Sequence, residues 1–264
     1  MSEGKKEILL GDCLELMKDI PNGSIDMILC DLPYGTTACK WDSIIDLDLL
    51  WNQYKRIIKD KGAIVLTASQ PFTTKLISSN YEMFKYEIIW NKTHGANFFN
   101  LKNQPFKTHE NIIIFGHTIT YNPIRESRTE SSLKRYKKGV ELKTPKGNPE
   151  HYGTEINDSY ILKDDKHPSS IINISSKSEK RNGIKHPTKK PTALFEYLIK
   201  TYTIEGDLVL DNTAGSGTTA IACLNTNRQF IVMEKEQKYY DMILKRVGDF
   251  NKNFEPQTLF GNEM

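Results

Sequence analysis

Features that would define several classes of protein are missing from this sequence. Its four cysteines, Cys13, Cys30, Cys39 and Cys223, form no C-x-x-C pair, so neither a disulfide framework nor a zinc site is predicted. No apolar run reaches the roughly 18 residues that a membrane-spanning helix needs. Residues 1–7 are polar and charged, unlike a signal peptide. We therefore expect a cytoplasmic protein without a membrane partner or a bound metal.

The net charge is also small, because 36 basic residues and 33 acidic residues leave a net charge of +3. That value is too small to identify a nucleic-acid partner. The basic residues nevertheless cluster in the middle of the chain. The first cluster comprises Arg125, Arg128, Lys134, Arg135, Lys137 and Lys138, and the second Lys177, Lys180, Arg181, Lys185, Lys189 and Lys190. Apolar periodicity fades over 117–185, which predicts an inserted, loop-rich region between two halves of one domain, 1–116 and 186–264.

Short runs rich in Ile, Val and Leu flank this insertion on both sides. They lie at 25–30, 63–67, 86–90, 111–115, 208–210 and 230–233. Such runs are typical of strands that are buried on both faces. Segments with amphipathic helical spacing alternate with them, at 47–59, 191–202 and 239–247. The alternation predicts an α/β fold, with a mostly parallel sheet and helices on both faces.

A glycine-rich turn follows one of these strands. Gly215-Ser216-Gly217-Thr218-Thr219-Ala220 fits the G-x-G-x-x-G/A pattern, and Glu234 ends the next strand, where an acid could bind ribose hydroxyls. This pattern predicts an adenosine-like ligand but does not distinguish a dinucleotide from S-adenosylmethionine. A dinucleotide fold needs a second mononucleotide half, whereas the sequence after Glu234 leaves room for one helix and a short tail. We therefore expect upstream strands, first of all 25–30, to complete the sheet.

The segment Asp31-Leu32-Pro33-Tyr34 directly follows strand 25–30. If that strand neighbours 208–210, the tetrapeptide and the glycines share the carboxyl edge of the sheet. An exocyclic base amine is a poor nucleophile, and hydrogen-bond acceptors for its N–H groups localise its lone pair. The Asp31 carboxylate and the Leu32 carbonyl are two such acceptors, Pro33 restricts Leu32 to extended geometry, and Tyr34 offers a stacking surface. Alone, the segment could equally be a turn after a strand.

Four segments in this order carry a resemblance to a known family. They are Gly11-Asp12-Cys13-Leu14-Glu15, Asp31-Leu32-Pro33-Tyr34-Gly35, His186-Pro187-Thr188-Lys189-Lys190-Pro191 and 211–219. The chain resembles the β group of DNA amino-methyltransferases, in particular phage-like DNA adenine methyltransferases, whose catalytic tetrapeptide precedes the target-recognition region and the cofactor loop. It departs from the family at Leu32, where proline is usual, and at Asn212-Thr213, where Pro-Phe is usual. The second departure removes a ring expected near the cofactor.

The resemblance implies a Rossmann-like, S-adenosylmethionine-dependent methyltransferase fold with circularly permuted motif order. Residues 1–116 then form the catalytic half, 117–185 the target-recognition insertion and 186–264 the cofactor half. It implies transfer of a methyl group to the N6 amine of a flipped adenine in duplex DNA, with Asp31, Leu32, Pro33 and Tyr34 as catalytic residues. The cofactor-binding residues implied are Asp12, Cys13, Asp31, His186, Thr188, Lys190, Asp211, Asn212, Thr213, Gly215, Ser216, Gly217, Thr218 and Glu234.

DNA contacts have the weakest sequence signal. Arg125, Arg128, Lys134, Arg135, Lys137 and Lys138 are our candidates for binding phosphates, although solvated surface roles fit them too. Trp41, Phe72, Phe98 and Phe99 could wedge or stack, although core packing is usual for such side chains. Asn97 and His109-Glu110-Asn111 match the family pattern without a defined role.

Several alternatives remain open. An N4-cytosine methyltransferase would share the fold, although that group more often begins its tetrapeptide with serine. An RNA or small-molecule methyltransferase, a dinucleotide-dependent oxidoreductase and a non-catalytic DNA-binding module are also possible. A cytosine ring-carbon methyltransferase is disfavoured, because the sequence contains no Pro-Cys pair for a thiolate nucleophile. The recognition sequence, a restriction or stand-alone phage role, and homodimer formation are not predicted by the sequence.

Overall fold

The computed structural model describes residues 4–35, 43–95, 97–135, 141–143, 159–161, 164–177 and 189–250. For Ser131, Lys134, Arg135, 141–143 and 159–161 it describes the backbone alone. The chain divides into two compact units. The larger unit comprises 1–122 together with 170–264, and the smaller unit comprises 123–169.

The elements of the described residues alternate between strand and helix through most of the larger unit. In chain order the strands are β1 (Lys6–Leu10), β2 (Ile25–Asp31), β3 (Ile58–Ala68), β4 (Phe84–Asn91), β5 (His109–Phe115), β6 (Glu126–Ser127), β7 (Glu141–Lys143), β8 (Ser159–Ile161), β9 (Asp165–Lys166), β10 (Ile171–Asn173), β11 (Leu208–Asp211) and β12 (Gln229–Glu234). The α-helices are α1 (Cys13–Leu16), α2 (Leu47–Ile57), α3 (Phe72–Ser79), α4 (Glu130–Arg135), α5 (Thr192–Tyr202), α6 (Thr218–Asn225) and α7 (Gln237–Phe250). Short 3₁₀ turns lie at Met17–Asp19, Tyr81–Met83 and Phe98–Asn100.

The larger unit is built on an eight-stranded sheet with the order β1-β12-β11-β2-β3-β5-β4-β10. The predicted pairing of 25–30 with 208–210 is confirmed, because Val209 pairs with Met27 and Leu210 with Ile28 in parallel. Neighbouring strands are parallel except at β5, which runs antiparallel to both β3 and β4. The amino end of β5 therefore lies at the same sheet edge as the carboxyl ends of the other strands. Ligands of open α/β sheets bind at that edge.

Alternating side chains of the central strand β2 pack on opposite faces of the sheet. Met27 and Leu29 belong to one apolar cluster, together with buried residues of α5, α6 and α7. Ile28 and Cys30 belong to a second cluster, which includes buried residues of α2 and α3. Both faces of β2 are thus covered, which explains why its sequence is a continuous apolar run. The predicted α/β architecture with helices on both faces is confirmed.

Three local features differ from the sequence prediction. The strand β1 was not predicted, because its apolar run covers only residues 8–10 and follows the charged residues Lys6 and Glu7. The predicted helix 47–59 ends at Ile57, where Ile58 takes an extended conformation and starts β3. The sheet is mostly parallel, as predicted, but the sequence did not identify β5 as its antiparallel strand, because apolar runs carry no signal for strand direction.

The smaller unit contains two antiparallel strand pairs, β6 with β9 and β7 with β8, together with the helix α4. The predicted insertion at 117–185 overlaps this unit and extends beyond it on both sides. Residues 117–122 and 170–177 belong to the larger unit, where 171–173 form β10 beside β4. In neither unit do the described residues include a helix that is long and apolar enough to cross a membrane.

Candidate active site

A cavity of about 620 Å³ lies at the carboxyl edge of the larger unit's sheet. The residues that line it include most of the predicted site, namely Asp12, Cys13, Asp31, Leu32, Pro33, Tyr34, Lys190, Asp211, Asn212, Thr213, Gly215, Ser216, Thr218 and Glu234. The two motifs also touch directly, since the Thr213 hydroxyl donates to the main-chain carbonyl of Asp31 at 3.2 Å. The structure therefore brings the tetrapeptide and the glycine-rich turn into one pocket.

The Asp31 carboxylate, at the end of β2, accepts hydrogen bonds from three side chains. Its Oδ1 atom accepts from the Tyr34 hydroxyl at 2.8 Å and from the Thr67 hydroxyl. Lys190 Nζ donates to both Oδ1 and Oδ2, at 2.8 Å each. Asp31 thus carries a directly compensated negative charge, and Oδ2 has fewer protein partners than Oδ1.

Lys190 is the centre of a chain of alternating charges. Its side chain is 8% exposed, and its Nζ atom lies 3.2 Å from Glu110 Oε2. On the far side, Lys92 Nζ donates to Glu110 Oε1 at 3.0 Å. Burial lowers the pKa of Lys190, but the negative charges of Asp31 and Glu110 outweigh it and leave the pKa well above its ordinary value. Lys190 is therefore a buried ammonium ion.

Tyr34 is held in place by packing as well as by its hydroxyl group. Its ring stacks on Phe72 with centroids 5.3 Å apart and an angle of 23° between the ring planes. Lys190 Nζ lies 5.5 Å from the Tyr34 ring centroid. Burial and the charge of Asp31 raise the pKa of Tyr34 well above its ordinary value, so its hydroxyl stays protonated as a donor. The Leu32 side chain is buried in the core, which anchors the backbone of the tetrapeptide.

The glycine-rich turn closes the other end of the pocket. Gly217 caps α6 at φ +75°, and a Cβ atom there would lie 3.0 Å from Ile243, so glycine is required for both reasons. Gly215, at φ +52°, donates its amide hydrogen to Glu234 Oε2 at 2.8 Å. The hydroxyl oxygens of Ser216 and Thr218 lie 3.3 Å apart. The Glu234 carboxylate, at the end of β12, thus accepts from the turn itself.

Asp211 ends β11 beside this turn and is 2% exposed. Its carboxylate accepts from the Thr219 hydroxyl and from the Thr213 amide at 3.0 Å. Burial, with a further contribution from the charge of Asp31, raises the pKa of Asp211 to about 7. A positively charged group beside Asp211 would stabilise its ionised form.

Asn212 occupies a position where the family usually has proline, and the structure shows what replaces the expected apolar packing. Its Oδ1 atom accepts from the Tyr54 hydroxyl at 2.6 Å and from the Cys30 thiol at 2.9 Å. Burial raises the pKa of the Cys30 thiol well above its ordinary value, so the thiol remains a neutral donor. A small buried polar cluster therefore supports the floor of the pocket.

Other predicted residues have local roles or lie outside the described residues. Asp12 is exposed, lines the cavity and caps α1, since its carboxylate accepts from the Leu14 amide at 2.9 Å. Cys13 is half-buried beside it. His186 and Thr188 lie outside the described residues, as does Trp41.

Sequence reasoning missed several residues that shape the pocket. Thr67 pairs with Asp31 in the sheet register, so a polar residue at the end of a neighbouring strand was the available signal. Lys92, just after β4, had no sequence signal that pointed to the site. Glu110 matched the family pattern, but the sequence assigned it no role. Phe72, a candidate wedge, is instead 3% exposed and packs beneath Tyr34.

Two further aromatic candidates lie at the surface, in the loop between β4 and β5. The side chains of Phe98 and Phe99 are 71% and 99% exposed. This loop begins and ends at the cavity, because Gly95 and Lys107 line it. Its base is braced by Asn97, which donates to the Pro105 carbonyl at 3.0 Å and accepts from the Lys107 amide at 2.7 Å.

The basic candidates of the smaller unit are partly described. Arg125 donates to Asp165 at 2.6 Å, and the Arg128 amide donates to the Asp164 carbonyl at 3.0 Å. Lys134 and Arg135 lie in α4, where their side chains are not described. Lys137 and Lys138 lie outside the described residues.

The mostly parallel sheet, with an acid beside a glycine-rich turn at its carboxyl edge, is the arrangement expected of a Rossmann-like methyltransferase. The sequence places the chain more narrowly. Residues 25–245 match the family model for DNA methylases of the N6-adenine and N4-cytosine group, and the chain belongs to this family of DNA amino-methyltransferases. The family predicted from the sequence motifs is thus confirmed.

Individual relatives and solved structures agree with this assignment. The type II methyltransferase M.BglII of Bacillus subtilis is 28% identical over 274 residues, which cover 94% of this chain and 71% of the relative. M.HinfI of Haemophilus influenzae is 28% identical over 273 residues, covering 93% and 69%. The M1.HpyAVI complex with S-adenosylmethionine matches with a TM-score of 0.59 at 24% identity, over 91% of this chain and 98% of that one. The cytosine-N4-specific PvuII methyltransferase matches with a TM-score of 0.64 at 16% identity, over 98% and 88%.

Proposed function

We propose that the protein transfers a methyl group from S-adenosylmethionine to the N6 amine of a specific adenine in duplex DNA. The observation that carries this proposal is the position of Asp31. Its carboxylate lies at the end of β2 in the pocket that also contains the glycine-rich turn, and Thr213 links the two motifs. The type II relatives support a site-specific reaction on DNA.

The residues of the turn fit the proposed cofactor. Close backbone approach to a ligand is possible at Gly215, which lines the pocket and has no side chain. The buried carboxylate of Asp211 suits a cationic ligand, and Glu234 suits ribose hydroxyls. The first residue of α6, Thr218, lines the same end of the pocket, and the first amides of a helix have no partner within the helix. When bound there, S-adenosylmethionine supplies a methyl group on a positively charged sulfur.

Asp31 and Leu32 act on the other reactant. The Asp31 carboxylate and the Leu32 carbonyl accept the two N–H groups of the target amine, which localises its lone pair for attack. The negative charge of Asp31 also offsets the positive charge that develops on the amine nitrogen. Tyr34 stacks on the base, and its hydroxyl bond to Asp31 fixes the carboxylate. These roles need the base outside the helical stack, which costs a few kcal/mol.

Adenine is the proposed target because the tetrapeptide begins with an aspartate. An N4-cytosine enzyme would use the same fold, as the likeness to the PvuII methyltransferase shows, so the fold does not discriminate. N4-cytosine transfer is therefore the second candidate.

The exposed rings and the basic insertion are proposed to contact DNA. Phe98 and Phe99 stand on a braced loop at the pocket rim, where an aromatic ring could fill the gap that an extruded base leaves. Between Lys92 and His109 the sequence contains no acidic residue, so this loop suits a polyanion. Residues 117–185, with Arg125 and Arg128, are the proposed recognition region.

The experiment is expression in a host without DNA methylation, followed by mass spectrometry of the nucleosides and methylation-sensitive sequencing of the genome. We expect N6-methyladenine at one short sequence, and none in a culture that expresses Asp31→Asn. N4-methylcytosine would overturn the adenine assignment while retaining amine chemistry. If neither base is modified while the protein is folded and abundant, the proposed function is wrong.

A further inference from the structure

The charge chain beside Asp31 contains one acceptor, Glu110 Oε2, that has an ion-pair partner but no geometrically formed hydrogen bond. Among the described residues, no hydrogen bond reaches Glu110 Oε2, although that atom is buried. Lys190 Nζ lies 3.2 Å away, at ion-pair distance, while its hydrogen bonds go to Asp31. A buried carboxylate oxygen without a hydrogen bond is costly, and a small movement of Lys190 would provide one.

Lys190 also obstructs the proposed use of Asp31. It donates to both carboxylate oxygens, including Oδ2, which is the oxygen with fewer protein partners. The target amine needs one of these oxygens as its acceptor. A lysine that stays in place competes for that oxygen and puts positive charge beside an amine that becomes positive during transfer.

The residues around Lys190 are placed so that its ammonium group can bind Glu110 when the target amine displaces it from Asp31. Lys92 holds Glu110 Oε1 at 3.0 Å, which leaves Oε2 directed at Lys190. The side chains of Lys92, Lys190 and Glu110 are 7%, 8% and 15% exposed, so bulk water is a poor substitute partner. Because Lys190 stays between the same two carboxylates, the movement keeps its charge compensated.

We propose that Lys190 and Glu110 are positioning residues that form a two-position switch. Lys190 holds the Asp31 carboxylate in line until the target amine arrives, and then transfers its hydrogen bond from Asp31 Oδ2 to Glu110 Oε2. Glu110, which Lys92 holds in place, is the second hydrogen-bond acceptor of Lys190. This inference rests on the proposed role of Asp31 as acceptor of the target amine, and it gives the buried charges of Lys190 and Glu110 a use during binding.

The test compares two DNA duplexes that carry the recognition sequence found by genome sequencing. One has adenine at the target position and the other has purine, which lacks the 6-amine. Affinities are measured with S-adenosylhomocysteine present, so that no transfer occurs. We expect Glu110→Gln to weaken binding of the adenine duplex about fivefold to tenfold and of the purine duplex less than twofold. In turnover, its KM for DNA should rise and its KM for the cofactor should stay unchanged.

Two variants provide the controls. Glu87→Gln removes a carboxylate from the adjacent strand β4, outside the pocket lining, and should change neither affinity. Glu110→Asp keeps the charge on a shorter side chain and should give an adenine-to-purine ratio between those of wild type and Glu110→Gln. It also keeps the question decidable if Glu110→Gln does not fold.

The outcomes are distinct. Equal losses for both duplexes, or no loss for either, would show that Glu110 is only a structural partner of the lysines and would overturn the switch. A wild-type enzyme that binds both duplexes equally would instead contradict the role of Asp31. A failure of the proposed function itself appears earlier, as an absence of methylated DNA.

Discussion

The two ends of the pocket each present an aspartate at the end of a strand, and the strands β2 and β11 are neighbours. Asp31, at the amine end, has an ammonium ion 2.8 Å from both of its oxygens. Asp211, at the cofactor end, receives hydrogen bonds from Thr219 and Thr213 and has no ion pair within the described part of the chain. The comparison teaches that the protein compensates the charge of one carboxylate and, among the described residues, provides no cation for the other, which is the one that we propose binds the cationic cofactor.

The largest expected effect concerns Asp31. Asp31→Asn keeps the shape but loses the charge that offsets the developing cation, so turnover should fall at least about 10³-fold. Cofactor affinity should change less than threefold, because Asp211 and the glycine turn are untouched. Steady-state kinetics and calorimetric titration with the cofactor measure the two quantities. A parallel loss of both would mean that the two aspartates do not have separate tasks.

The next effect is on the stability of the ligand-free protein. The folded state holds the proton of Asp211 up to a pKa of about 7, well above the unfolded value of about 3.8. Asp211 therefore destabilises the folded state progressively as the pH rises from about 4 to 7, by a few kcal/mol at most. Asp211→Asn should remove this slope and be the more stable protein at pH 8. Denaturant unfolding at several pH values measures it, and identical slopes in both proteins would contradict it.

Cofactor binding should show the opposite trend with pH. A cationic cofactor favours ionised Asp211, so its affinity should rise about tenfold between pH 6 and pH 8. In Asp211→Asn the affinity should be weaker and nearly independent of pH over this range. Titration calorimetry in buffers of different ionisation enthalpy would also detect the proton that wild type releases. An unchanged affinity profile in the variant would assign the titration to another group.

The smallest effect is expected at Thr67, which donates to Asp31 without carrying charge. Thr67→Val keeps the shape and removes that hydrogen bond together with the second acceptor of the Tyr34 hydroxyl at 3.0 Å, while Lys190 and Tyr34 still donate to the carboxylate. We expect a turnover decrease of about threefold to tenfold, consistent with one hydrogen bond of about 1 kcal/mol. Thr74→Val, on the exposed side of α3, is the matched control. A loss as large as that of Asp31→Asn would show that Lys190 contributes little.

Much of this arrangement could be predicted from the sequence, because the motifs and strands depend on local composition. The apolar runs around Ile28 and Leu210 predicted a neighbouring pair, and that pairing placed Asp31 beside the glycines. The pairing of Lys190 with Asp31 could not be predicted, since the two residues are 159 positions apart in the sequence. The position of Glu110 beside Lys190 could not be predicted either, because it follows from the reversed direction of β5. Long-range side-chain geometry of this kind leaves no periodic signal.

Because β5 is reversed, the loop between β4 and β5 leaves the sheet edge and returns to it. The loop is therefore structurally separate from the pocket residues at the ends of these two strands. Both β4 and β5 meet the pocket at the same edge, and the Lys92 amide donates to the Thr108 carbonyl at 2.8 Å, which closes the base of the intervening loop. The loop that carries Phe98 and Phe99 is therefore an excursion that returns to its starting point. We expect that the tip of the loop, 98–104, can be exchanged while Asn97, Lys92 and Glu110 stay in place, so that grafts there change the proposed DNA contact and leave the pocket as it is.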